Sequence, residues 1–160
     1  ALGAGLKVIG TAGGPEGAAF LRSLGVERAL DHRRPGYLDE AVALTGGRGP
    51  ELILEMLANV NLPEDMRIAA PRGRIVIVGS RGRVEIDPRA AMSKDLVVSG
   101  MSLFNLEAAE RAELHAALGR ELAEGRLTPV IARRFPLAEA AAAHAAVLEP
   151  GARGKIVLLP

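Results

Sequence analysis

The feature that most constrains this chain is a rhythm. Short, unbroken apolar runs such as "ELILEML" and "RIVIVG" are each followed by a stretch whose apolar residues recur at helical spacing. A strand with one wet face alternates apolar and polar side chains. A continuous run instead fits a strand covered on both faces, the habit of parallel sheets. Such runs predict strands at residues 7–12, 28–31, 52–56, 74–78, 96–100 and 155–159. Between the first two, Pro15 opens a helix that Gly25 closes, with Phe20, Leu21 and Leu24 on one face. Leu38, Ala41, Val42 and Thr45 give the next helical stripe, and a third helix is predicted over 62–70. Strand and helix alternating at this spacing predict an α/β fold: a doubly wound, Rossmann-like parallel sheet.

After Phe104 the texture changes. Asn105 is placed to cap a long helix carrying Leu114, Leu118 and Leu122 at four-residue spacing. "RLTPVIARRFPL" follows with no element assigned to it, then an alanine-rich helix over 137–148. A boundary near 105 is expected to divide a nucleotide-fold layer, 1–104, from a return segment, 105–160, that packs on something else.

Composition narrows the function. The formal net charge is +1, so no global field recruits nucleic acid or an anionic membrane. No apolar run approaches the roughly 18 residues of a membrane span. There is no cysteine, which removes disulfides, thiolate zinc sites and a cysteine nucleophile and suits a cytoplasmic protein. "ALGAGLKVIG" lacks the basic region of a signal peptide, and the missing initial methionine fits a fragment. No second histidine stands at metal spacing from His32, and His115 and His144, inside predicted helices, are expected at the surface or in packing, so no metal ligand is assigned.

In open parallel sheets, ligands bind beyond the carboxyl ends of the strands. The first strand ends "GTAGG", where Gly13 and Gly14 leave room for a ligand to approach the backbone. No acid stands at Ala12, Gly13 or Gly14 to hold a ribose 2′-hydroxyl, so the tip favours the 2′-phosphate of NADP over NAD. The alternative is a plain loop before the Pro15 helix. The next tip, "LDHRRPG", carries His32, Arg33 and Arg34, able to face a phosphate or equally a solvated loop. "EMLANVN" puts Asn59 and Asn61 just past a strand. Asn61 has a structural explanation as the cap of the third helix, which leaves Asn59 as the better ligand contact. "VIVGSRG" and "VVSGMSL" offer backbone donors and acceptors suited to a carboxamide.

Together, "GLKVIGTAGGPEG", "DHRRPGY", "ILEMLANVNL", "IVIVGSRGRVEIDPR" and "GMSLFN" resemble the zeta-crystallin family, the zinc-free NADPH:quinone oxidoreductases of the medium-chain dehydrogenase/reductase superfamily, from Gly5 to Leu159. The resemblance implies NADPH as cofactor and a quinone as acceptor, the two held face to face with water excluded. Gly13 and His32 match residues lining the adenosine-phosphate end, and Asn59 matches an asparagine near the cofactor. Val78, Gly79, Ser80 and Arg81 match the segment passing the nicotinamide half. Met101, Ser102 and Leu103 match the last strand tip, whose backbone meets the carboxamide. No catalytic side chain is assigned, because a quinone accepts electrons readily. The resemblance also implies a homo-oligomer, dimer or tetramer, as the complete enzyme.

The departure is at the start. Neither the family's first strand nor its "GxGxxG" turn is present, and "ALGAG" resembles only the tail of the first helix. The chain resembles a C-terminal half, expected to be inactive alone, with the strands at 7–12 and 52–56 each lacking a neighbour. The competing readings are an enoyl reductase of the same superfamily, against which "EMLANVNL" argues, and an RNA- or nucleotide-binding module. Arginine outnumbers lysine 17 to 3, yet a net charge of +1 and 2% aromatic residues make RNA binding the minor alternative.

Overall fold

The structure, a computed structural model, describes residues 1–149, 151 and 153–160. In chain order the elements are β1 (Ile9–Ala12), α1 (Pro15–Ser23), β2 (Arg28–Asp31), α2 (Tyr37–Leu44), β3 (Leu52–Glu55), α3 (Ala58–Ile68), β4 (Arg74–Ile77), α4 (Pro88–Met92), β5 (Val97–Gly100), α5 (Ala108–Ala123), β6 (Ile131–Pro136), α6 (Ala140–Leu148) and β7 (Lys155–Leu159). Short 3-10 turns occupy Leu2–Ala4, Leu103–Asn105 and Leu137–Glu139. Every ladder is parallel, in the orders β1-β2, β3-β4-β5 and β6-β7. The α/β class read from the apolar runs is the class observed. The chain forms two compact units, Arg34–Glu107 and Ala1–Arg33 with Ala108–Pro160.

In the unit that holds both termini, Ile9 to Ala12 pair with Arg28 to Asp31 in register. Pro15 supplies the preset φ of a first helical residue, and Gly14 turns the chain into α1 at φ 87°, a conformation glycine adopts without steric cost. Ala18, Val26, Ala29 and Leu30 are buried. A Cβ on Gly17 would lie 2.8 Å from the Cβ of Ala12, so α1 sits on β1 at a distance only glycine permits. Further along, β6, α6 and β7 form a parallel crossover around buried Phe135, Ala143 and Ala146, packed against Ile156.

The other unit packs α3 on β3 and β4. Ala58, Leu62, Met66, Ala69 and Ile75 are its buried core, with Ile53, Ile77, Val84, Ala90, Ala91 and Leu96 against it. Ile75 is fully buried and Met66 is 1% exposed. α4 is capped by Asp87, whose side chain accepts the Arg89 N–H at 2.9 Å, with Pro88 as the first helical residue.

Several sequence expectations are corrected. α3 starts at Ala58 rather than Leu62, so Asn61 lies inside the helix and is not its cap. Pro63 sits within α3 and removes one backbone donor there. Asn105 does not cap the long helix; it ends a 3-10 turn, and α5 begins at Ala108. β6 carries no apolar period in the sequence, because its two arginines and terminal proline interrupt it, and its ladder is irregular between Ile131 and Arg133. The apolar runs are also less covered than a two-faced burial predicts. All of β5 is exposed, and Leu52 and Leu54 of β3 are exposed, so these segments present apolar surface in the unit as described. Among the described residues, β1 forms a ladder only with β2 and β3 only with β4, leaving each strand one unpaired edge.

Candidate functional site

The expected site residues fall at the carboxyl ends of strands in both units. Gly13 and His32 belong to the first unit; Asn59, Val78 to Arg81 and Met101 to Leu103 belong to the second.

At the β1 tip the turn is tied to the β2 tip by two bonds, and a third shapes the β2 tip itself. The Gly14 N–H and the Arg33 N–H each donate to Asp31 Oδ1 at 3.0 Å, and the His32 N–H donates to the Ala12 carbonyl at 3.1 Å. The Arg33 amide is the main influence holding the Asp31 carboxyl below its ordinary range. The Gly14 amide adds to it, partial desolvation opposes it, and the charges of Arg33 and His32 assist. An acid therefore stands near this tip, but on β2, and it accepts the protein's own amides.

Arg33 lies across Gly13. A Cβ on Gly13 would be 3.0 Å from Arg33 Nε, so the missing side chain is what lets the guanidinium lie there. The two border an open cavity of about 530 Å³, with Gly14, Gly17, Phe20 and Arg153 also on its wall. Glu16, in the first turn of α1, forms an ion pair with Arg153. The Arg33 guanidinium forms no ion pair among the described residues, which leaves a cation on the wall of a glycine-lined cavity. His32 is exposed and does not line the cavity; its neighbour Arg33 does. Arg153 had no signal in the sequence, since it reaches Glu16 across 137 positions.

In the second unit the β3 and β4 tips are interlocked. The Val78 and Gly79 N–H groups donate to the Glu55 carbonyl at 2.8 and 3.2 Å, and the Ala58 N–H donates to the Gly79 carbonyl at 3.0 Å. Gly79 comes so close that a Cβ there would lie 2.4 Å from the Met56 carbonyl oxygen. Asn59 Oδ1 accepts the Arg81 N–H at 2.8 Å, so two of the expected residues are brought together. Ser80 Oγ donates to the Gly82 carbonyl at 3.1 Å, and the Arg81 guanidinium is exposed. The next tip is built similarly: the Met101 N–H donates to the Ile77 carbonyl at 3.0 Å, and Ser102 Oγ accepts the Phe104 N–H at 3.3 Å. Leu103 is 60% exposed, Phe104 96% and Met101 47%, an apolar rim at that tip.

Beneath these tips lies a feature with no sequence signal, a pair of carboxyls. Glu55 and Asp65 are the two buried charged residues among those described, each 6% exposed. Glu55 Oε1 accepts the Leu57 N–H and, at 3.0 Å, Asn61 Nδ2. Burial, above all, pushes the Asp65 carboxyl up to about 7, with the Glu55 charge, a hydrogen bond to Glu55 and the Glu64 charge adding to it.

Residues 24–158 match the family model described as zinc-binding dehydrogenase. The chain is 40% identical over 156 residues to the quinone oxidoreductase of Homo sapiens, covering 97% of this chain and 47% of that protein. A quinone oxidoreductase structure from Pseudomonas syringae pv. Tomato DC3000 superposes with a TM-score of 0.84 at 25% identity, over 96% of this chain and 49% of that one. A mycobacterial protein solved with NADPH superposes at 0.84 and 25% identity, over 99% of this chain and 50% of that one. The chain thus spans about half the length of the curated relatives it matches. The family's description implies zinc. The sequence has no cysteine, and among the described residues no three His, Asp or Glu side chains converge on one point, so no zinc ligand is assigned to this segment.

Proposed function

This chain belongs to the zinc-binding dehydrogenase family, and from that premise we propose that it forms the cofactor-binding part of an NADPH-dependent quinone reductase. The observation that carries the cofactor reading is the Arg33 guanidinium, without a carboxylate partner, beside the bare backbone of Gly13 on the cavity wall. A 2′-phosphate needs such a cation, and NADH has no group there to use it. The substrate class rests on the relatives, which are named quinone oxidoreductases at about 40% identity.

When bound, NADPH supplies the reducing equivalents that a quinone accepts. The chain's own residues bind, orient and exclude water. Asp31 holds Gly14 and Arg33 so that the guanidinium stays over Gly13, and Glu16 fixes Arg153 on the wall of the same cavity. At the nicotinamide half, Asn59 fixes the Arg81 backbone, while Gly79 lets the β4 tip approach β3. Met101, Ser102 and Leu103 offer backbone groups to the carboxamide, and the exposed apolar side chains beside them keep water from a planar acceptor. His32 is assigned to the rim of the adenosine-phosphate end. No side chain is required as acid or base, and the complete enzyme is a homo-oligomer in this reading.

The deciding experiment compares kcat/KM for NADPH and NADH with a quinone acceptor in the full-length protein. NADPH is expected to be preferred, and Arg33→Ala to erode that preference while leaving NADH nearly unaffected. A wild-type preference for NADH overturns the cofactor assignment.

A further inference from the structure

Two buried acids lie below the β3 and β4 tips, and nothing in the proposed chemistry uses them. Glu55 ends β3 and Asp65 lies on α3, one turn and a little beyond Asn61. One oxygen, Asp65 Oδ2, is buried with no donor in reach among the described residues. A carboxylate oxygen in that position is costly, because burial strips its water and no N–H or O–H replaces it. The groups facing it worsen the matter. From β3 comes Glu55, from α3 itself Glu64, and from α2 the Tyr37 hydroxyl, whose ionisation is discouraged first by burial and then by these acids. β4 and α4, which pack on α3, bring apolar side chains to that core: Ile75, Ile77, Ala90 and Ala91. The nearby cations are engaged elsewhere. Arg67 binds Glu64 and Asp39, and Lys94 binds the Met66, Arg67 and Ala69 carbonyls.

A proton resolves the arrangement. Two carboxylates cannot hydrogen-bond to each other, but a carboxylic acid can donate to a carboxylate. Glu55 is the better candidate for the anion, since its Oε1 already accepts the Leu57 N–H and the Asn61 amide. Asp65 then carries the proton.

We propose that Asp65 and Glu55 are positioning residues that share one proton, and that this proton holds the β3–α3 turn in the shape that presents Asn59, Gly79 and Arg81. The chain of contacts is continuous. The Asp65 proton fixes Glu55, and Glu55 Oε1 fixes Leu57 and Asn61. The turn they define places Ala58 on the Gly79 carbonyl and Asn59 on the Arg81 N–H. Loss of the proton near neutral pH sets two buried anions against each other, and the freest response is for Glu55 to release Leu57 and Asn61.

The positioning role rests on the cofactor reading above, so its test has one part that needs no cofactor. In the full-length protein, infrared spectra should show a protonated-carboxyl band that titrates near pH 7 and is absent in Asp65→Asn. Over the same range the amide protection factors of Leu57 and Arg81 should fall in the wild type and stay level in Asp65→Asn, whose amide can donate to Glu55 at any pH. Protection that is flat in the wild type, or that falls equally in both, overturns the proposal. With NADPH as probe, wild-type affinity should weaken about fivefold across the titration, the worth of one net hydrogen bond, beyond any change shared with Asp65→Asn. Glu55→Gln should weaken binding at every pH. If NADPH binds neither protein, the cofactor reading fails while the infrared and exchange results still judge the proton pair. If NADPH binds both with the same pH dependence, the positioning role fails and the cofactor reading stands.

Discussion

β2 and β3 both end in an acid, Asp31 and Glu55, and each acid accepts N–H groups from turn residues that follow a strand. The same local device sits beside opposite neighbours at the two ends. Asp31 is half-buried, hydrogen-bonded by amides and flanked by cations, so its charge is favoured. Glu55 is buried beside Asp65, whose own carboxyl is pushed up to about 7, first by burial and then by the Glu55 charge. A carboxylate at a strand tip is therefore neither a ligand-binding group nor a liability by type. Its partners and its access to water decide which.

That contrast can be broken most severely at Gly79. A methyl group there would meet the Met56 carbonyl oxygen, which is backbone and cannot swing aside. Gly79→Ala should destabilise the protein by about 3 kcal/mol, the upper end of overpacking costs, and abolish tight NADPH binding. Urea melts and fluorescence titration with NADPH check both; a stable, tight-binding variant would show that the two tips are not locked as described.

Opposite pH responses should follow next. Asp65 goes from an unfolded value near 3.8 to about 7 in the fold, so between these limits the folded chain binds the extra proton. Its contribution is full below about pH 4 and is lost as pH rises towards and through 7. Asp31 is lowered from 3.8, so its contribution is present above that value and is lost as pH falls through its folded one. Urea melts of wild type and Asp65→Asn should converge at acidic pH apart from a constant offset and separate as pH rises. Curves that stay parallel would contradict the proton pair.

Arg81→Ala should weaken NADPH binding by about 1.5–3 kcal/mol, as expected for a charge-assisted contact, without changing the melting temperature. An unchanged Kd would place Arg81 in a solvated loop. The mildest change is Gly13→Asp. Its carboxylate would stand beside Arg33, within reach of the guanidinium that favours a 2′-phosphate, and the ratio of kcat/KM for NADPH and NADH should shift towards NADH. A ratio that does not move would separate Arg33 from cofactor choice.

The two tips were unequally legible in the sequence. The glycines of "GTAGG" and "VGSRG" mark strand ends because only a bare backbone tolerates a close approach, and that is a property of the residue itself. "DPRAAM" carried a readable cap signal, Asp before Pro, that the apolar periodicity passed over. The start of α3 was not readable. The spacing predicts a helix from Leu62 with Asn61 as a cap, yet Glu55 and Gly79 hold Leu57, Ala58 and Asn61 and extend the helix by a turn.

By itself the sequence determined most of the alternation of strands and helices, β6 and α4 excepted, together with the parallel α/β class, the glycine tips and the family resemblance. Apolar runs, helical spacing and bare glycines act through short-range sterics and burial, which any stretch of chain carries with it. Only the tertiary structure decided which polar groups meet: Arg153 with Glu16, Arg33 across Gly13, Asp31 turned onto its own amides, and Asp65 enclosed beside Glu55. Those outcomes depend on distance and water access between residues far apart in sequence, and a carboxylate or guanidinium carries no local mark of the partner it will find.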